Sequence, residues 1–102
     1  MIAKTILQQI GGNHFIVMTG SKKFVDLGKG LRMNLSKNKT SANRLDIIID
    51  EGTDTYRMRF YHQILSKKTF EVKVTEVAQY KDVYYDMLEE IFTSVTGLYT
   101  RL

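Results

Sequence analysis

The sequence predicts an α+β domain in which an antiparallel sheet of four to six strands, a meander at its centre, packs one face on a C-terminal helix with a short N-terminal helix beside it. Three observations carry this. Four central segments alternate apolar and polar residues at period two, the signature of half-buried strands. Their links, "KNKTSAN", "EGTD" and "HQILSKK", are short and turn-like, as antiparallel neighbours require. A segment near the end places Val83, Tyr84, Met87, Leu88, Ile91, Phe92 and Val95 on one face at helical spacing. A chain of 102 residues is one domain, spanning 1–102.

Each element follows from local chemistry. Ala3, Ile6, Leu7 and Ile10 fall at i, i+3, i+4 and i+7, and Gly11 and Gly12 offer a left-handed helix stop. "HFIVMT" (His14 to Thr19) is short and rich in β-preferring residues, so it reads as a strand, and Phe24 to Leu27 as a second, shorter one. The four alternating strands are centred on Leu31–Leu35, Leu45–Ile49, Tyr56–Phe60 and Phe70–Val74. Asp82 stands where a cap or first helical turn is expected. Gly97 followed by Leu98 reads as a C-terminal cap, from which "GLYTRL" folds back onto the domain. Tyr84 falls on the core face of this helix and Tyr85 beyond its edge.

Demanding that apolar residues share one face sets a register. Across "EGTD", Ile49 faces Tyr56, Ile47 faces Met58 and Leu45 faces Phe60; a slip of one residue would turn every side chain over. The same demand pairs Leu35 with Leu45 and Phe60 with Phe70. The outer face then reads in rows: Asn34, Asp46, Arg59, Glu71; Arg32, Ile48, Arg57, Lys73; and Ser36, Arg44, Tyr61, Thr69. Arg59 is compensated by two acids. Arg32, Arg57 and Lys73 are not, and Arg44 and Tyr61 lie beside them. Uncompensated like charges on a sheet cost stability unless solvated or met by an outside counter-charge.

The charge distribution agrees. The net charge is +4, but His14 to Thr75 carries 12 Lys or Arg against 6 Asp or Glu, whereas Glu76 to Leu102 carries 2 against 5. A basic sheet face with an aromatic ring is one way to hold single-stranded nucleic acid, bases stacking while cations follow phosphates. The expected contacts are Arg32, Arg44, Arg57, Tyr61 and Lys73. Lys22 and Lys23 in "GSKKF", Lys37 and Lys39 in "SKNKTS", and the lysines of "LSKKT" are the expected rim.

Other chemistries have weaker signatures. Neither "GSKK" nor "LGKGL" satisfies G-x-x-x-x-G-K-[ST]: Phe15 or Lys23 stands at the first glycine position, and Gly30 where Ser or Thr is needed, so both read as tight turns. The two histidines lack ligand-spaced partners, and "DEGTD" lacks the alternating oxygen spacing of a calcium loop. With no cysteine and no nucleophile elbow, the expectation is a non-enzymatic protein without cofactor or metal. No stretch approaches the roughly 20 apolar residues of a membrane span and the first residues lack a signal-peptide pattern, so a cytoplasmic protein without a membrane partner is expected. Ile48 on the outer face and the open sheet edges point to a two-fold homodimer.

"ILQQIGGNHFIVMTGSKKF", "SANRLDIIIDEGTDTYRMRFY" and "EIFTSVTGLYTRL" together resemble a family of short proteins of bacteriophages, prophages and bacterial mobile elements. The patterns GGNxFxxMTG and FTxxTGLYT are the most specific parts. The resemblance implies a bacterial host cell and two roles: an accessory factor acting on DNA or RNA, or a protein-binding inhibitor of a host enzyme such as a defence nuclease. It implies no catalytic residue.

Overall fold

The computed structural model describes residues 2–100. Helices α1 (Ile2–Ile10) and α2 (Gly12–Thr19) lead into five strands, β1 (Lys22–Asp26), β2 (Gly30–Asn34), β3 (Arg44–Asp50), β4 (Thr55–Leu65) and β5 (Val72–Val83). A 3-10 turn, Tyr85–Met87, and helix α3 (Leu88–Thr96) follow. The strands form one antiparallel meander in the order β1-β2-β3-β4-β5. One sheet face meets the helices around a single core to which α1 gives Ile6 and Ile10, α2 Phe15, β3 Leu45 and Ile47, β4 Met58 and Phe60, and α3 Leu88 and Phe92. Phe92 is fully buried, its ring 4.8 Å from that of Phe15 and 6.3 Å from that of Phe60. The expected α+β class is the observed one.

The N-terminal region departs from the pattern read from the sequence. His14 to Thr19 is helical, because Gly11 and Gly12, at φ 132° and 59°, turn the chain sharply into a second helix and do not merely end the first. That helix buries Phe15 and Thr19, one turn apart, and leaves Val17 outside. Its β-preferring residues yield to this packing. Gly20 caps it in the left-handed conformation and the chain enters β1 at Lys22, so "GSKK" is a helix stop running straight into a strand and not the tight turn expected. Leu27 N–H donates to Gly30 O, which makes "LGKGL" a turn. Gly30 admits no side chain, since a Cβ there would lie 2.3 Å from Ile47 O.

The β3–β4 register is the expected one: Ile49 faces Tyr56, Ile47 faces Met58 and Leu45 faces Phe60. In the preceding hairpin Leu45 faces Met33 and not Leu35, a two-residue shift that keeps every side chain on its face. The β4–β5 hairpin differs most. Here Phe60 lies opposite Ala78, and "HQIL" continues β4 to Leu65, so the turn comes at Ser66 to Phe70. Beyond the row of Tyr61 and Glu76 the two strands run on as an arm, and Ile64, Leu65, Val72 and Val74 on it are exposed.

The chain stays extended through Val83, which pairs with Tyr56, so helix α3 begins at Leu88, five residues later than the apolar spacing suggests. Tyr84 and Tyr85 are consequently both exposed, and Tyr84 leaves the core face. Gly97 is left-handed at φ 76° and caps the helix. The return of the C-terminus is seen in Leu98, packed on the core, and Thr100, whose hydroxyl donates to Glu89 Oε2; Arg101 and Leu102 lie outside the described residues.

Candidate nucleic-acid interface

The register redistributes the expected basic face. Arg32 faces Asp46 and not Ile48. Its Nε and Nη2 donate to the two oxygens of Asp46 at 2.9 and 3.0 Å, a bidentate pair that raises its pKa further. Arg32 is therefore a compensated cation. Arg59 pairs with Glu76, the carboxylate opposite its neighbour Tyr61, because Glu71 lies out on the arm. That partner holds the exposed Glu76 carboxyl below its usual range, with Gln79 adding a second donor.

Tyr61 does not offer a ring to solvent. It is 2% exposed, with the Arg59 guanidinium carbon 4.4 Å from its ring centroid, in the place a stacked base would take. Its hydroxyl donates to Asp46 Oδ1 at 2.9 Å. Burial, the larger cause, raises the phenol pKa, and the hydrogen bond to Asp46 adds to the rise. Arg32, Asp46, Tyr61 and Arg59 thus form a closed polar layer on the outer face. Asp46 and Arg59 of this layer also line an open groove of about 670 Å³, together with Ile48 and the exposed Arg57 and Lys81. Arg57 approaches Asp50 only loosely, at 3.8 Å. Lys73 is far from Arg57, opposite Ile64 on the arm.

The row that expected Arg32, Arg57 and Lys73 together is therefore absent, but the topology gathers other cations. Lys22, Asn34, Arg44, Tyr61 and Glu76 form one row across all five strands. At this end of the sheet β1, β3 and β5 begin and β2 and β4 finish. The β2–β3 loop here carries Lys37 and Lys39, and the arm carries Lys67, Lys68 and Lys73, all exposed. Lys23 stands beside Lys22 in a bulge at φ 54°. Arg44 is half-buried and donates to Asn43 O at 3.0 Å. Eight cations thus share this end with Glu71 and the already paired Glu76.

Loop and arm are tied together. Asn43 Nδ2 donates to Gln63 O at 2.9 Å, and Gln63 N–H returns a bond to Asn43 Oδ1 at 2.8 Å. Asn38 organises the loop, its Oδ1 accepting from Thr40 N–H and Oγ1 and its Nδ2 donating to Ser36 O and Ala42 O. Lys39 N–H donates to Thr96 O, fixing the loop to the last turn of α3. The opposite end of the sheet is acidic: Asp50, Glu51 and Asp54 form the β3–β4 turn, Asp26 ends β1 and Asp82 lies near the end of β5.

Six of the nine residues expected at a nucleic-acid surface, Lys22, Lys23, Lys37, Lys39, Arg44 and Lys73, are brought to one end; Arg32 and Arg57 are not, and Tyr61 is there but buried. Sequence reading overlooked Lys67 and Lys68 as central residues because it placed their turn against the sheet. The signal available was the polar "HQ" before "IL", which breaks the core alternation.

Both sheet edges, β1 and β5, carry register shifts, two of them on β5. Such bulges twist an edge away from strand pairing with another copy. Among the described residues no three His, Asp or Glu side chains stand as a metal-holding group, and no helix is long and apolar enough to cross a membrane. A comparison of the chain with protein-family models, curated proteins and solved structures finds no match.

Proposed function

We propose that the protein is a non-enzymatic accessory protein of a phage or mobile element that binds single-stranded nucleic acid in the host cell through the basic end of its sheet. The observation that carries this reading is the segregation of charge along the strands. Lysines of β1, the β2–β3 loop and the arm converge at one end, and the acids of the β3–β4 turn lie at the other. A field of one sign concentrated on one surface attracts a polyanion and orients its approach.

Counterion release makes the test quantitative. The affinity for labelled single-stranded DNA or RNA, followed by fluorescence anisotropy, falls with log salt in proportion to the phosphates neutralised. Replacing Lys37 and Lys39 by Ala lowers the magnitude of that slope by about 0.7 per lost contact. Lys29→Ala, in the turn at the acidic end, leaves it unchanged. Absence of binding by the parent at low salt overturns the reading. The protein-binding alternative, an inhibitor of a host enzyme, then gains from another observation: Leu65, Val72 and Val74 share one exposed face of the arm.

A further inference from the structure

The tip of the arm holds a side chain that the fold does not use. Phe70 is 79% exposed, and its backbone has φ 57°. A left-handed conformation is unfavourable for any residue with a Cβ and uncommon for a bulky one. Two hydrogen bonds impose it: Phe70 N–H donates to Ser66 O at 2.7 Å and Ser66 N–H to Glu71 O at 2.8 Å, closing the hairpin turn. Glycine would serve this turn without strain, and would expose no apolar ring. The turn thus combines an unfavourable backbone with an unburied aromatic, flanked by Lys67 and Lys68 and, across Glu71 and Val72, by Lys73.

We infer that Phe70 is a stacking platform for an unpaired base, with Lys67 and Lys68 holding the phosphates on either side. The inference rests on the nucleic-acid reading and replaces Tyr61, whose ring Arg59 covers, as the aromatic element of the surface. An exposed ring among cations matches the chemistry of a single strand, in which every base has a free π-face beside a phosphate. A protein partner would be met by the apolar face of Leu65, Val72 and Val74, which alternates along the strands and needs no cations at the tip.

Phe70→Gly is the discriminating variant, because it removes the ring and relaxes the backbone together. It is expected to melt at or above the parent temperature. Its affinity for a labelled oligothymidylate is expected to fall roughly 5- to 150-fold, the equivalent of one stacked base, with an unchanged salt slope, since no cation is lost. Lys67→Ala and Lys68→Ala show the converse, a slope reduced by about 0.7 each. The chain contains no tryptophan, so Phe70→Trp places a single indole at the tip whose fluorescence is expected to be quenched on binding. If the parent binds with a normal salt slope and Phe70→Gly binds equally well, stacking is overturned while the basic-end reading stands. If the parent binds neither DNA nor RNA, both fall. A loss of equal size on duplex DNA overturns the single-strand assignment.

Discussion

Strands β4 and β5 run through two different environments, and the contrast shows what burial depends on. From Tyr56 to Phe60, apolar residues alternate with polar ones and are buried under the helices. From Ile64 outward the strands remain paired and apolar residues are present, yet Ile64 is 46% and Leu65 58% exposed. Hydrogen bonding is shared by both halves. What differs is the second layer: among the described residues the helices share a core with Tyr56, Met58 and Phe60, while Ile64 and Leu65 stay open to solvent. Alternation therefore specifies a strand, and burial needs an opposing surface.

Stability measurements should separate the two halves. Phe92→Ala, which empties the contact among Phe15, Phe60 and Phe92, is expected to cost about 3 to 5 kcal/mol in urea unfolding, whereas Phe70→Ala should change stability by no more than about 0.5 kcal/mol. Similar losses for both variants would mean that the arm folds against the body.

Between these extremes lies the junction at Tyr61. Tyr61→Phe removes the donor to Asp46 and should cost about 1.5 to 3 kcal/mol, as for a hydrogen bond to a charged acceptor. The folded-state pKa of Tyr61 is raised, so its contribution is fully present below the ordinary tyrosine pKa and is lost as pH rises through the raised value. Unfolding followed from neutral to alkaline pH should show this decline in the parent and a weaker one in Tyr61→Phe. An identical pH profile for the two would remove Tyr61 from the buried polar layer.

The smallest effects belong to the surface of the arm and to the groove. Leu65→Ser and Arg57→Ala should each shift stability by less than about 0.5 kcal/mol, since the first side chain lacks a covering layer and the second has only a distant, solvated partner. A larger loss for Leu65→Ser would indicate that a second copy covers the arm, and sedimentation over a concentration range would then show a dimer.

Where the sequence could be read, local rules and one buried face acted together. The turn "EGTD" and the apolar pairs Ile49–Tyr56, Ile47–Met58 and Leu45–Phe60 were legible because the short turn limits the slip and a shift of one residue would put the partner strand's apolar side chains on the wrong face. Gly97 was legible as a cap for the same kind of reason, a conformation that favours one residue type. His14 to Thr19 was not. Its composition suits a strand, and the sharp turn at Gly11 and Gly12 together with the burial of Phe15, against Phe92 of α3, and of Thr19 one helical turn on makes it a helix.

The candidate site divides in the same way. That the middle of the chain is basic is a property of the sequence, and so is the identity of the lysines in its loops. Which charges neutralise one another depended on a register that the short third link left underdetermined, because strands covered on one side only can be extended past the core without exposing backbone to an apolar phase. Continuing β4 to Leu65 carried Glu71 and Lys73 away from Arg59 and Arg57 and brought Glu76 beside Arg59. Sequence by itself determined the fold class, the central hairpin and the excess of positive charge, all governed by local propensity and composition. The tertiary structure alone decided that Tyr61 is buried, that Arg32 is paired with Asp46 and that Phe70 stands free at the tip, because these follow from distances between residues far apart in the chain.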